Sequence, residues 1–422
     1  MEFRRVAPIA FVNQSSEAAM QPTEAPTNEL LVYKQEIANG LDGGFKAWSV
    51  VLGAWCCLFC AFAVGIFQDY YMTHQLSNHS SSSIAWILSL EPFVLFASGI
   101  VIGKVFDSYG PQWLLVTGTF LHVFGLMMTS ISSEYYQFVL AQATWFQERR
   151  ALAFGIVSSG SSLGGVVFPI MLARLMPIVG FGWTLRISGF VVLALLLIAN
   201  LMVRSRIKPI PRPFRFSDYT DPFSEPCFVL LTLSATCGFF AMFIPINYIV
   251  LEAGENGIDA NLSSYLLAIL NAGSLPGRIL PGYFGDKLGR FNVMIAMCTF
   301  SALVLLVMWL PGTLLAPGSA AVYVVVSLLY GFASGAFVGM VPALLGQISP
   351  DITKIGVRQG VLFTCISLAT LTGSPIAGAI LIRQRETYWG LQVFAGVMMT
   401  SSVLFLIMAR TTLVGFTLKA KV

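Results

Sequence analysis

Eleven stretches of roughly twenty mostly apolar residues divide this chain, and the short turns between them hold most of its charge. A stretch of that length crosses a bilayer as one helix, because in lipid every backbone polar group must be satisfied within the segment. The expected spans are residues 47–68, 84–105, 113–131, 151–176, 183–203, 226–251, 261–284, 293–309, 320–347, 356–382 and 389–408. Only 10% of the 422 residues are charged and 56% are hydrophobic, which excludes a large water-soluble core. The fold class these features predict is an all-α membrane protein.

The interval between the third and fourth of these stretches is anomalous. Only 17 residues separate Ile131 from Arg149, and of these only 135–146 are moderately apolar. A helix of that length rises about 18 Å, against a hydrocarbon core of about 30 Å. Charge nevertheless requires a crossing there. With twelve crossings and both termini inside, Lys46, Lys104, Arg149, Arg150, Arg204, Arg206, Lys354, Arg358 and Arg410 all face the cytoplasm. Arg174, Arg186, Arg383 and Arg385 are then the only outer cations, a strong positive-inside bias. Deleting the crossing would reverse every charge from Arg149 onward. The expectation is a twelve-span protein whose helix 4 is stunted to about fifteen residues or displaced from the bundle. A splice variant or a mis-assigned intron is the favoured cause.

Two copies of G-x-x-x-D-x-x-G follow the second helix of each half: Gly103, Asp107 and Gly110, then Gly282, Asp286 and Gly289 with Arg290 beside it. One copy of so short a pattern is weak; two at equivalent places indicate an internal duplication. Gly103 and Gly282 permit close helix contact, and Gly110 and Gly289 permit a tight turn. The layout expected is a disordered cytoplasmic tail (1–41), a first bundle (42–203), a basic cytoplasmic linker (204–225), a second bundle (226–410) and a short tail (411–422).

The run Asp42-Gly43-Gly44-Phe45-Lys46-Ala47-Trp48 opens the first span, and Trp145-Phe146-Gln147-Glu148-Arg149-Arg150 leads into the small-residue cluster Ser158–Gly165. With Gly277-Arg278 before the second hairpin, these segments resemble the monocarboxylate-porter branch of the major facilitator superfamily, in its fungal form. The resemblance covers about residues 42–409 and implies two six-helix bundles about a central cavity, working by alternating access. In the superfamily, aspartates such as Asp107 and Asp286 engage a neighbouring helix end or a basic residue at an inner gate. The animal lactate carriers of this branch have an aspartate where this chain has Ser274, and their first-span lysine falls near Phe62.

Arg278 is the leading candidate for cargo binding, because an ionised residue inside an apolar helix usually faces a cavity or a partner. Its guanidinium would fork onto a carboxylate or another anionic group; a structural pair with Asp286 is the competing reading. Asn271 and Ser274 share its helix face, and Asn247 after Pro245 is a similar polar lining residue. Glu91 in the second span is the candidate coupling group, or else a hydrogen-bonding or headgroup-zone carboxyl. The serine and glycine cluster 158–165 reads as helix packing more than as cavity lining, and so do Thr370, Thr372, Gly373, Ser374 and Gly378. Asn78-His79-Ser80 fits a glycosylation acceptor in the first outer loop.

No metal or cofactor is expected: the seven cysteines lie in apolar segments, and His74, His79 and His122 are scattered. The chain lacks the phosphate-cradling loop of ATP-driven pumps, and its cations are spread over loops rather than gathered for nucleic acid. The partners expected are a small-molecule substrate and the lipid bilayer, for a monomer of the plasma membrane. The reading is a secondary transporter of small organic molecules, such as an organic anion, monocarboxylate or fungal metabolite. The alternative is a non-transporting truncated variant. An enzyme would need clustered His, Cys or carboxylates at one depth, which the sequence does not offer. Flux absent in this chain, yet present once a full helix is restored before Trp145, would select the non-transporting alternative.

Overall fold

The computed structural model describes residues 45–60, 81–131, 154–203, 215–351, 354–385, 387–417 and 420–422, and every regular element among them is a helix. The shortened fourth span, Asn78 and the W-F-x-x-R-R run fall outside the described residues. Helix α1 is Phe45–Phe59. The expected second span is divided into α2 (Ser81–Ala97) and α3 (Gly99–Tyr109). Pro92 removes one backbone donor inside α2, and Ser98 Oγ at the junction bonds back to the Leu95 carbonyl at 3.1 Å. Helix α4 is Gln112–Thr129.

Helix α5, Phe154–Met202, joins two expected spans into one run of 49 residues, broken at Gly180 where φ is 77°. Pro177 lies three residues before that break, and the left-handed backbone there suits only glycine. The linker ends in a short helix α6 (Ser217–Thr220) and a 3-10 turn, Asp221–Ser224.

The second half continues with α7 (Pro226–Glu255) and α8 (Ala260–Leu288). Asp259 caps α8 by accepting from the Asn261 and Leu262 amides at 3.1 and 3.4 Å. Helix α9 (Arg290–Leu303) widens into a π turn, Val304–Trp309, before α10 (Leu310–Leu315). Helices α11 (Ala320–Ile348), α12 (Ile355–Arg383) and α13 (Trp389–Val414) complete the chain. The last helix therefore runs past the boundary expected at 410. The tail then folds back, and the amide of Phe291 donates to the Val422 oxygen at 2.8 Å.

Seven helical segments among the described residues are long and apolar enough to cross a membrane. Large apolar side chains such as Phe120, Leu201 and Val307 are exposed on them, as surfaces solvated by lipid require. Residues Trp48–Val422 form one contact-rich unit, within which the buried apolar side chains make two separate clusters. One runs from Cys56 to Ala199 and the other from Phe228 to Ala409, so each belongs to one half of the sequence.

Helices α8 and α11 are joined by backbone approach. A Cβ on Gly277 would meet the Phe332 carbonyl oxygen at 2.0 Å, and one on Gly331 would meet that of Leu270 at 2.0 Å, so α8 and α11 touch along their backbones. By contrast, a Cβ on Gly282 meets nothing within 4 Å among the described residues. Gly277→Val should therefore lower stability in detergent by about 1–3 kcal/mol through overpacking. Gly282→Ala should be neutral or slightly stabilising, since alanine is the better helix former. Thermal unfolding of the two variants beside the parent checks both.

Candidate transport site and gate

Three polar residues form a strip along α8 at i, i+3 and i+7: Asn271, Ser274 and Arg278, all buried. The strip faces the small-residue cluster of α5. Arg278 Nε donates to Ser274 Oγ at 3.0 Å, and Nη1 donates to Ser161 Oγ on α5. Ser162 Oγ bonds Ser274 Oγ at 3.1 Å, and the Asn271 amide donates to the Gly165 carbonyl at 3.3 Å. A Cβ on Gly165 would collide with the Asn271 amide at 2.7 Å. Arg278 therefore points at the other half of the chain, only 4% exposed, with the Ser161 and Ser274 hydroxyls among its partners. Hydroxyls are weak acceptors for a guanidinium; an anionic group arriving there would be a stronger one. The competing pair with Asp286 does not form, because that carboxylate pairs with Arg290 at 3.0 Å.

The α5 cluster has both roles that small residues can play. Gly160 and Gly164 press on the backbone of α1, where added Cβ atoms would meet the Trp55 and Phe59 carbonyls at 2.6 and 2.0 Å. Ser161 and Ser162, one residue on from Gly160, turn to α8.

A second junction lies between α3 and α12. Gly103 and Gly356 abut so closely that a Cβ on Gly103 would sit 2.2 Å from the Gly356 carbonyl oxygen. Asp107 Oδ2 accepts from the Val357 amide at 3.0 Å, an anion placed on the N-terminal turn of α12. Its duplicate behaves differently: Asp286, 68% exposed, pairs only with Arg290 of its own hairpin among the described residues. Gly110 and Gly289 have φ of 79° and 99°.

The linker fastens to the same end of α12. Lys354 Nζ lies 2.8 Å from Asp218, and Arg358 forks onto Glu225 with bonds of 2.7 and 2.6 Å. The Arg358 hydrogen bonds hold the Glu225 carboxyl below its ordinary range.

Asn247 is placed elsewhere: its amide donates to Ser374 Oγ of α12 at 2.7 Å, and the neighbouring Tyr248 hydroxyl donates to the Ser374 carbonyl. Glu91 belongs to α2, on the helix that packs against α12. The sequence reading missed one buried acid altogether. Glu252, 1% exposed near the end of α7, accepts from Trp309 Nε1 and from Gln392 Nε2, each at 2.8 Å.

A multi-pass helical chain whose halves meet along paired glycine contacts, with a buried cation between them, has the form of a membrane transporter. The profile of the Major Facilitator Superfamily matches residues 141–314 and 227–419. A protein of Ophiocordyceps sp. named MFS-type transporter 1 is 48% identical over 404 residues, covering 90% of this chain and 89% of the relative. The Fujikurins efflux protein of Gibberella fujikuroi is 42% identical over 413 residues, covering 92% of this chain and 84% of the relative. In fold, the chain is similar to a bacterial homologue of the iron transporter ferroportin in an outward-facing state. That likeness has a TM-score of 0.63 at 14% identity and covers 86% of this chain and 98% of the other. The chain belongs to the major facilitator superfamily.

Two outcomes follow. Asp107→Ala removes the anion from the α12 terminus, so a cysteine at Ile355 should react faster with a membrane-impermeant maleimide supplied from the inner side. An unchanged labelling rate would separate Asp107 from closure. For Glu225, the depressed carboxyl means that the bond to Arg358 is complete above the ordinary carboxylate range and is lost only as pH falls through the lower folded value. A fluorophore on Ser217→Cys should thus report release of the linker only in strong acid, and Arg358→Gln should move that release to milder acid.

Proposed function

We propose that this chain is a secondary active exporter of a small organic metabolite, working by alternating access in the plasma membrane, with Arg278 as the anchor for an anionic group of its cargo. The single observation that carries this reading is the position of Arg278: deep in an apolar helix, turned from lipid, and bonded across to the other half through the Ser161 hydroxyl. Separating α5 from α8 would trade the Ser161 bond for a cargo acceptor, which ties binding to the movement between halves. Asn271 and Ser274 then line the same face, and Asn247 stays a lining residue further along α7 if Ser374 yields its amide.

Asp107 and Gly103 serve as the closed half of the inner gate, and Asp286, Arg290, Gly282 and Gly289 as its counterpart. Outward transport is favoured by the fungal relative named as an efflux protein. The monocarboxylate-porter resemblance adds a reason to expect a carboxylate. With serine at 274, coupling does not use the aspartate found beside that arginine in lactate carriers.

The test is efflux from proteoliposomes loaded with a panel of anionic and neutral fungal metabolites. Arg278→Ala should reduce efflux of the transported member about tenfold or more, the worth of a charge-assisted bond. Arg278→Lys should recover part of it, since lysine keeps the charge without the fork. Undiminished efflux by Arg278→Ala would remove the residue from cargo binding.

A further inference from the structure

We propose that Glu252 is a proton-binding site of the second half, and that the proton resides on Oε1. The carboxyl lies within a membrane-crossing helix yet is 1% exposed, and no Lys, Arg or His pairs with it among the described residues. An ionisable side chain in that setting is costly and usually functional.

The partners of its two oxygens differ in kind. Oε2 accepts from Trp309 Nε1 at 2.8 Å, and an indole nitrogen can only donate. Oε1 accepts from Gln392 Nε2 at 2.8 Å, and the Thr313 hydroxyl also meets the carboxyl. Gln392 and Thr313 also bond each other, Nε2 to Oγ1 at 3.0 Å and Oγ1 to Oε1 at 3.3 Å. Both of these groups can reverse. A flipped amide presents its oxygen, and a rotated hydroxyl presents a lone pair. Trp309 therefore fixes Oε2 as an acceptor in both protonation states, while Oε1 can carry hydrogen and donate it to Gln392 or Thr313. The reaction is simple uptake: a proton from water joins the carboxylate oxygen, and the two partners turn round to receive it. In the state described, the acid, the indole, the amide and the Thr313 hydroxyl are all hydrogen-bonded, whereas the nearby Tyr388 hydroxyl has no partner among the described residues.

Among the described residues, the surrounding groups supply no competing cation. Glu255 lies one turn on along α7, Tyr323 faces the site from α11, and Tyr388 faces it from the start of α13. The Asn256 amide occupies the Tyr323 hydroxyl at 2.7 Å. Arg383, the last residue of α12, and Arg385 just after it make no ion pair with Glu252. The site ties α7, the π turn, α10 and α13 together, so its charge state bears on how their ends meet. With the termini inside, that end of α7 faces outward, the side from which an exporter draws protons. What the proton drives rests on the exporter reading; that the proton binds does not.

The test is infrared difference spectroscopy of the full chain in nanodiscs, taken from alkaline to acidic buffer with no cargo present. A carboxylic-acid carbonyl band should appear on acidification, vanish in Glu252→Gln and survive in Glu255→Gln. Thr313→Val should shift its frequency, because it removes one hydroxyl partner of the carboxyl and of the Gln392 amide. Should Glu252→Gln fail to fold, Glu252→Asp serves in its place, and the band should move with the displaced carboxyl. A band that is absent, that does not change with pH, or that is indifferent to both Glu252 variants would overturn the proposal. Because no cargo is used, that failure would leave the exporter reading standing.

Discussion

Backbone contact between the two halves of the chain is the constraint from which the rest of the arrangement follows. Gly103 and Gly99 on α3 meet Gly356 and Gly360 on α12, and Gly165 on α5 meets Asn271 on α8. In lipid there is no hydrophobic gain from bringing two apolar helices together, so association depends on close packing and on polar groups finding each other. Glycine and serine supply both here. They let the helices approach, and the approach puts Asp107 on an amide of α12 and Arg278 on a hydroxyl of α5. The contact leaves no room for larger residues.

The duplication is not used symmetrically. Asp107 reaches across to the other half, whereas Asp286 stays within its own hairpin on Arg290. The two members of the repeat thus have the same local turn, each ending on a left-handed glycine, with different work for the carboxylate. In this conformation the α3–α12 junction carries a polar lock, further braced by the pairs that Lys354 and Arg358 make with Asp218 and Glu225 of the linker. A cycle of movement would have to break that set in concert.

Much of this was legible in the sequence because it is periodic or local. Long apolar runs fix the spans, a repeated eight-residue pattern fixes the hairpins, and one arginine in an apolar helix marks the buried cation. What escaped is what depends on distant partners. Ser161 and Ser162 sit among glycines, and small residues read alike whether they pack or bond; only the register of α8 against α5 distinguishes them. The partner of Asn247, Ser374, lies 127 residues away and could not be read from its surroundings. Glu252 stands near the end of its span beside Glu255, like any charge at a headgroup. Its donors come from 57 and 140 residues further on, and nothing near it announces them.

The widened turn at Val304–Trp309 sets the phase of everything after it. An α-helix advances its side chains by about 100° per residue, and a π turn accommodates one more residue than the regular coil would. Winding the same residues as an unbroken α-helix would carry the indole round by about that angle, away from the acid it now holds. Removing one residue within the turn would instead restore regular winding with the indole left in place. The irregularity that interrupts an otherwise ordinary membrane helix is thus the clockwork that brings one nitrogen round to one oxygen.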